Sequence, residues 1–303
     1  MRNEFYDLMR RFLNYERAVT GKSEHTIISY ETDLKQFFEY LEEHEEINSL
    51  EEITPMILRS FMAYMSRNER GKRSINRKMS AVRTFFGFLI MEGVVESNPT
   101  VLISAPKYEK PLPTLLTDRE VRIISDSVDT ADILGIRDRA MIELLYSSGI
   151  RASELISLSE YNFNYNEREL RVTGKGEKER VTFFSNRASE WIRRYIEEKK
   201  SKYKNYTKDI LFVNSNGKRL TDRSLRRLIT DYGENSGVKK HISPHTFRHS
   251  FATELLNRGI DIKFLQELLG HSSIMTTQVY THVSKEFLRE IYMKTHPFAD
   301  GEK

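Results

Sequence analysis

A chain of 303 residues, 39% hydrophobic and 30% charged, is long enough for two domains with a substantial core and reads as soluble and globular. The absence of cysteine excludes disulfides, thiol nucleophiles and cysteine-ligated metal; with no apolar run long enough for a bilayer and no N-terminal signal pattern, a cytoplasmic location is expected. The net charge of +4 is nearly balanced along the chain, with 16 Lys/Arg against 17 Asp/Glu in residues 1–112 and 32 against 27 in residues 113–303, so any surface for a polyanion has to be a local patch.

Residues 3–19 carry Phe5, Leu8, Met9, Phe12 and Val19 at helical spacing, and a second helix after Ser23 buries Tyr30, Leu34, Phe37, Phe38 and Leu41. Thr54-Pro55 supplies a cap and a first-turn proline for a third helix, and a fourth runs over about 74–92 with Ile75, Met79, Val82, Phe85, Phe86 and Leu89 inward. These predict a four-helix bundle over residues 1–98. Its basic run holds Arg67, Lys72, Arg73, Arg77 and Lys78 and is followed by Thr84. Cations and hydroxyls on the polar side of the fourth helix are candidate phosphate contacts on DNA; a merely solvated helix face is the plainer alternative.

Four of the seven prolines fall within residues 97–114, which predicts an extended linker over 99–114. The second domain, 115–303, opens on the capping box Thr117-Asp-Arg-Glu120. A helix over 132–148 stops at Gly149 and delivers Arg151 and Glu154. Two strand-like runs, 170–173 and 180–184, flank the turn Gly174-Lys175-Gly176, and residues 210–213 read as a further strand. Helices are expected over 186–203, over 221–236, from Pro244 and over 284–294.

Pro244 at a helix start puts His245, Arg248 and His249 at i, i+3 and i+4 on one face, followed by His271 and Tyr280. A histidine pair at that spacing also suits a metal, but Arg248 between them repels a cation and no carboxylate accompanies them. Arg151, Lys175, His245, Arg248, His271 and Tyr280 form a set dominated by cations, with no Asp/Glu cluster for Mg²⁺. Two guanidinium forks suit an anion with several exposed oxygens, such as a phosphodiester. Metal-free phosphoryl transfer then requires a protein nucleophile, and without cysteine the Tyr280 hydroxyl is the candidate. His245 is the plausible base, Lys175 the plausible acid for the departing oxygen, and Arg151, Arg248 and His271 the stabilisers of transition-state charge. Glu154 is expected to orient Arg151, and His249 to brace the pocket wall.

The ordered motifs Gly149-x-Arg151-x-Ser-Glu154-Leu, Gly174-Lys175-Gly, His245-x-x-Arg248-His249, Leu269-Gly-His271 and Tyr280 resemble the tyrosine recombinase (phage-type integrase) family. The tail ending His296-Pro-Phe-Ala is similar to that of its Xer branch. The resemblance implies a mainly α fold with a small β-sheet in the second domain: a SAM-like helical core-binding domain, then the recombinase catalytic domain. It also implies a 3′-phosphotyrosyl intermediate formed without cofactor or metal, and double-stranded DNA carrying a specific site as partner. Four copies would assemble on two sites, the C-terminal helix of about 285–294 passing to a neighbour. A second recombinase or an activating translocase is a further candidate partner. The expected role is Xer-type resolution of chromosome or plasmid dimers. The alternatives are a mobile-element integrase, a type IB topoisomerase-like enzyme, and a non-catalytic DNA-binding accessory protein.

Overall fold

The computed structural model describes residues 2–47, 49–68, 71–104, 114–174, 177–270 and 285–299, and the chain divides into two compact units, Met1–Pro111 and Leu112–Lys303. The first unit is built from α1 (Arg2–Ala18), α2 (Glu24–His44), α3 (Pro55–Arg67) and α4 (Lys72–Met91). The Thr54 side chain accepts from the Ile57 amide at 3.4 Å, and Pro55 occupies the first turn of α3, where its missing N–H costs nothing. Phe12, Phe37, Phe61 and Phe85 are fully buried between the helices, with Phe12–Phe85 centroids 5.5 Å and Phe37–Phe61 centroids 5.0 Å apart. Ile103, inside the expected linker, packs into this same core and its carbonyl accepts from Arg83 at 3.2 Å. The rest of the expected linker, 105–113, lies outside the described residues.

The second unit is organised around α6 (Ile133–Ser148), which follows α5 (Asp118–Asp126) and is buried on nearly every side. The Thr117–Glu120 capping box forms at the start of α5 as the sequence predicts. After α6 come α7 (Ala152–Ser157) and an antiparallel sheet in the order β1 (Phe163–Asn164), β2 (Glu169–Thr173) and β3 (Glu179–Phe183). Arg171 stands opposite Val181 and Thr173 opposite Glu179. The chain continues through α8 (Asn186–Lys202), α9 (Asp222–Asn235), α10 (Pro244–Asn257), α11 (Ile262–Leu269) and α12 (Lys285–Thr295). Helices α5, α8 and α10 pack on α6, so the core of this unit is a helical shell around one helix.

Residues 210–213 form no strand: Leu211 and Phe212 are fully buried, and only Val213 makes a single bridge, to Arg219. The run is apolar because it lies on the core, with the Leu211 amide donating to the Leu158 carbonyl at 2.8 Å. Gly149 ends α6 at φ 62, a left-handed conformation that a side chain disfavours by about 1–2 kcal/mol. A Cβ there would also fall 2.3 Å from the Phe251 ring of α10. Gly149→Ala is therefore expected to lower the unfolding free energy by about 3 kcal/mol in urea titration, strain and overpacking acting together.

Candidate active site

The site begins where α6 stops. The turn at Gly149 places Arg151 as the residue capping α7, and Glu154 lies in the first turn of that helix. One Glu154 oxygen accepts from the Arg151 amide and the other from Arg151 Nη1, both at 2.8 Å. From β3, Arg180 donates Nη1 and Nη2 to the two oxygens of the same carboxylate at 2.7 and 2.9 Å. Burial pushes the Glu154 carboxyl up, but the Arg180 hydrogen bonds, the Arg151 amide, the charge of Arg180 and the Arg151 side-chain hydrogen bond outweigh it and hold the group at about 2.

Three arginines then close on the end of α11. Arg180 Nε donates to the Leu268 carbonyl at 2.8 Å, Arg248 Nη2 to the Leu269 carbonyl at 2.7 Å, and Arg151 Nη2 to the Gly270 carbonyl at 3.3 Å. The last carbonyls of a helix lack partners within it and form the negative end of its dipole, so guanidiniums are the natural cap. Arg248, from α10, also donates Nη1 to the Gly149 carbonyl at 2.6 Å, tying together the two turns that carry Arg151 and Gly270. Its guanidinium is buried; burial, followed by the charge of Arg151, lowers its pKa to about 10, still protonated at neutral pH. Three guanidiniums around one carboxylate leave an excess of positive charge here.

His245 and His249 lie one turn apart on α10 with ring centroids 6.2 Å apart; His245 is exposed and His249 half-buried. Arg151, Glu154, His245, Arg248 and His249 are thus placed by the structure, whereas Lys175, His271 and Tyr280 lie outside the described residues. The residues preceding two of them are nevertheless at the cluster. A Cβ built on Gly174 would stand 3.6 Å from Glu154 Oε1, and Gly270 carries the carbonyl that Arg151 caps. Gly270 sits at φ 64, where a Cβ would fall 2.8 Å from Arg180 Cδ.

A residue of this site that the motif spacing does not single out is Arg180. Its side chain is 8% exposed and fully engaged by Glu154 and Leu268, so it braces the site rather than delivering a proton. The available signal was its two-residue offset from buried Thr182, whose hydroxyl donates to the Ser148 carbonyl at 3.0 Å. Glu154 carries a consequence for stability. Its folded pKa lies below the ordinary 4.5, so its contribution is fully present above that pH and is lost as pH falls from about 5 towards 2. Glu154→Gln is expected to lower the unfolding free energy at pH 7 by on the order of 3 kcal/mol and to flatten the acid limb of stability against pH, measured by urea unfolding between pH 7 and pH 3.

In the first unit, Arg73, Arg77 and Ser80 are exposed and Thr84 is half-exposed along α4, with Arg67 exposed at the end of α3. Lys72 and Arg73 occupy the first turn of α4, which holds no acid, so their charge adds to the positive helix end. Lys78 departs from the expectation of a phosphate contact. It is buried, donating to Asp33 at 2.9 Å and to Gln36 at 2.6 Å. A lysine ammonium in that position neutralises buried Asp33 and is turned away from any ligand. Arg77 reaches the same Asp33 but stays exposed.

The phage integrase family profile matches residues 114–286, and its N-terminal SAM-like domain profile matches residues 9–93. The chain belongs to the phage integrase family. The chain is 39% identical over 291 residues to tyrosine recombinase XerC of Anoxybacillus flavithermus, covering 95% of this chain and 97% of that one. It is equally, 39%, identical over 293 residues to tyrosine recombinase XerD of Staphylococcus aureus, covering 96% and 99%. In fold it is similar to the XerH site-specific recombinase solved bound to its difH substrate before cleavage, with a TM-score of 0.67, 24% identity and coverage of 85% of this chain and 77% of that chain. The mainly helical two-part fold and the tyrosine recombinase resemblance read from the motifs both hold. Among the described residues, no helix is long and apolar enough to cross a membrane.

Proposed function

We propose that this protein is a site-specific recombinase that acts on double-stranded DNA through a 3′-phosphotyrosyl link at Tyr280. The observation that carries the reading is the buried Arg248, pinned by two carbonyls beside Arg151 over the Glu154 carboxylate. Two of its five N–H groups are used in that scaffold, which fixes the guanidinium before any ligand arrives. With Arg151 it presents two planar forks suited to the non-bridging oxygens of one scissile phosphate. Preorganised cations of this kind stabilise the charge of a pentacoordinate transition state.

The choice of nucleophile rests on the position of Tyr280, nine residues after His271, and burial weighs against most other tyrosines of the second unit. Seven of the nine tyrosines in the second unit, Tyr146, Tyr165, Tyr195, Tyr203, Tyr206, Tyr232 and Tyr292, have phenols raised above the ordinary value, burial being the first cause in each. A raised phenol is a poorer source of phenolate. Tyr161, by contrast, is exposed beside Lys208. His245, on the first turn of α10, is the base in this reading; Lys175, next to Gly174, is the acid, and His271 the further donor to the phosphate. Because the bond energy is kept in the phosphotyrosine, strands are exchanged and rejoined with no cofactor.

Arg67, Lys72, Arg73, Arg77 and Thr84 supply the DNA surface of the first unit. Four copies on two synapsed sites, each passing α12 to a neighbour, form the working assembly in the cytoplasm on the nucleoid, with a second recombinase or a translocase as candidate partners. Resolution of chromosome or plasmid dimers is the role supported by the XerC and XerD relatives. The test is a plasmid bearing two copies of the cognate site. The wild-type protein is expected to yield Holliday junctions and resolved circles; relaxation without junctions would contradict recombination and point to a topoisomerase.

A further inference from the structure

We propose that Arg180 is a positioning residue that holds the β2–β3 hairpin, and through it the proton donor to the leaving oxygen, in register with the phosphate-binding arginines. This rests on the recombinase reading above, in which Lys175 on that hairpin is the acid. The hairpin leaves the body of the unit as a series of paired rungs whose side chains alternate between two faces. Leu170 and Thr182 stand opposite each other and are fully buried, and Val172 and Arg180 form the next rung on the same face. The rung after that joins Gly174, whose amide donates to the Lys178 carbonyl at 2.8 Å; the glycine has no side chain and Lys178 is exposed. Val172 and Arg180 are therefore the last side chains on this face that grip the body before the tip. β1 pairs with β2 only as far as Leu170, so from there on the ribbon has two strands, an arrangement marginally stable by itself in water.

The two residues of that rung fix different things. Val172 buries apolar surface in the core, a non-directional attachment that sets depth and leaves the ribbon free to tilt. Arg180 supplies direction. Its Nη1 and Nη2 donate to the two oxygens of Glu154 at 2.7 and 2.9 Å, and its Nε to the Leu268 carbonyl at 2.8 Å. A planar fork held at three points on two elements, α7 and α11, resists both sliding and rotation. The same carboxylate accepts from the Arg151 amide and side chain, so the hairpin and the phosphate clamp share one reference point. A Cβ on Gly174 would lie 3.6 Å from Glu154 Oε1 and 3.7 Å from Arg180 Nη1, which puts the residue before Lys175 at this junction. Proton transfer needs the donor within hydrogen-bond reach of the leaving oxygen, and a misplacement of about 1 Å costs on the order of a hundredfold in rate.

The test is single-turnover cleavage of two nicked duplexes bearing the cognate site, one with the ordinary 5′ oxygen at the cleavage point and one with sulfur at that bridging position. In both, the Tyr280 oxygen bonds to phosphorus as the bond to the 5′ atom breaks. The departing oxygen must gain a proton, whereas sulfur leaves as a thiolate without one. Full-length Arg180→Lys and Arg180→Gln are expected to cleave the oxygen substrate about a hundredfold more slowly than wild type, and the sulfur substrate within about fivefold of it. Lys175→Ala should show the same split. Each variant is compared with itself on two substrates, so a poorly folded fraction lowers both rates alike and leaves the split unchanged. Wild-type rates in the Arg180 variants would overturn the proposal, as would equal losses on both substrates, which would make Arg180 a strut or a part of the clamp. Recovery on sulfur in the Arg180 variants but not in Lys175→Ala would also overturn it, since Arg180 would then serve another donor. Failure of the recombinase reading is a different result, in which wild-type protein forms no tyrosine adduct on either substrate.

Discussion

Tyr280→Phe protein is expected to bind its duplex site with unchanged affinity and to form no covalent protein–DNA adduct on a substrate nicked beside the cleavage point. The substitution removes one oxygen, the atom that would join phosphorus, and leaves the ring and the arginine cluster as they are. Removing a nucleophile leaves only what binding and charge stabilisation contribute, so recombination should fall by on the order of a millionfold, below detection. Tyr161→Phe is the matched control. It removes an exposed phenol of the same unit, and adduct formation should stay at the wild-type level. Loss of the adduct in Tyr161→Phe, or its survival in Tyr280→Phe, would reassign the nucleophile.

Arg248→Ala is expected to lower the single-turnover cleavage rate at saturating protein by about a hundredfold to a thousandfold, the usual cost of one preorganised donor to a developing charge. Two effects combine. The phosphate loses a fixed guanidinium, and the Gly149 and Leu269 carbonyls lose the donor that joins them. Buried carbonyls left unpaired cost about 1–3 kcal/mol each, so thermal melting should fall as well. Arg248→Lys is expected to recover little, because an ammonium is a point charge that cannot span both carbonyls and still face a ligand as a planar fork. Wild-type cleavage by either variant would remove Arg248 from the chemistry and leave it a strut.

The parts of the molecule that are local in sequence were legible in it. Pro244 and its cap Ser243, the Thr117–Glu120 capping box and Gly149 each mark a helix end through chemistry within four residues. The bundle helices announce themselves by long apolar stripes. The short elements were not legible: α7 and α11 have six and eight residues, too few to establish a period, and β1 has two. Residues 210–213 show the converse error, since a four-residue apolar run looks the same whether it pairs in a sheet or lies as coil on a core.

For the site, motif spacing named the arginines and histidines, but not how they cooperate. The contacts of Arg180 with Leu268 and of Arg151 with Gly270 join residues 88 and 119 positions apart, and a pattern of spacings holds no record of such pairs. Lys78 illustrates the same limit in the first unit. On the sequence it is one cation in a basic run; Asp33, 45 residues earlier, turns it inward.

The central claim is that the cationic cradle serves Tyr280, and mass-spectrometric mapping of the trapped wild-type adduct tests it most directly. After nuclease digestion, the account predicts a phosphotyrosyl residue in the peptide containing Tyr280, linked through the DNA 3′ phosphate with a free 5′ hydroxyl on the other fragment. Attachment to any other residue, or through a 5′ phosphate, would contradict it.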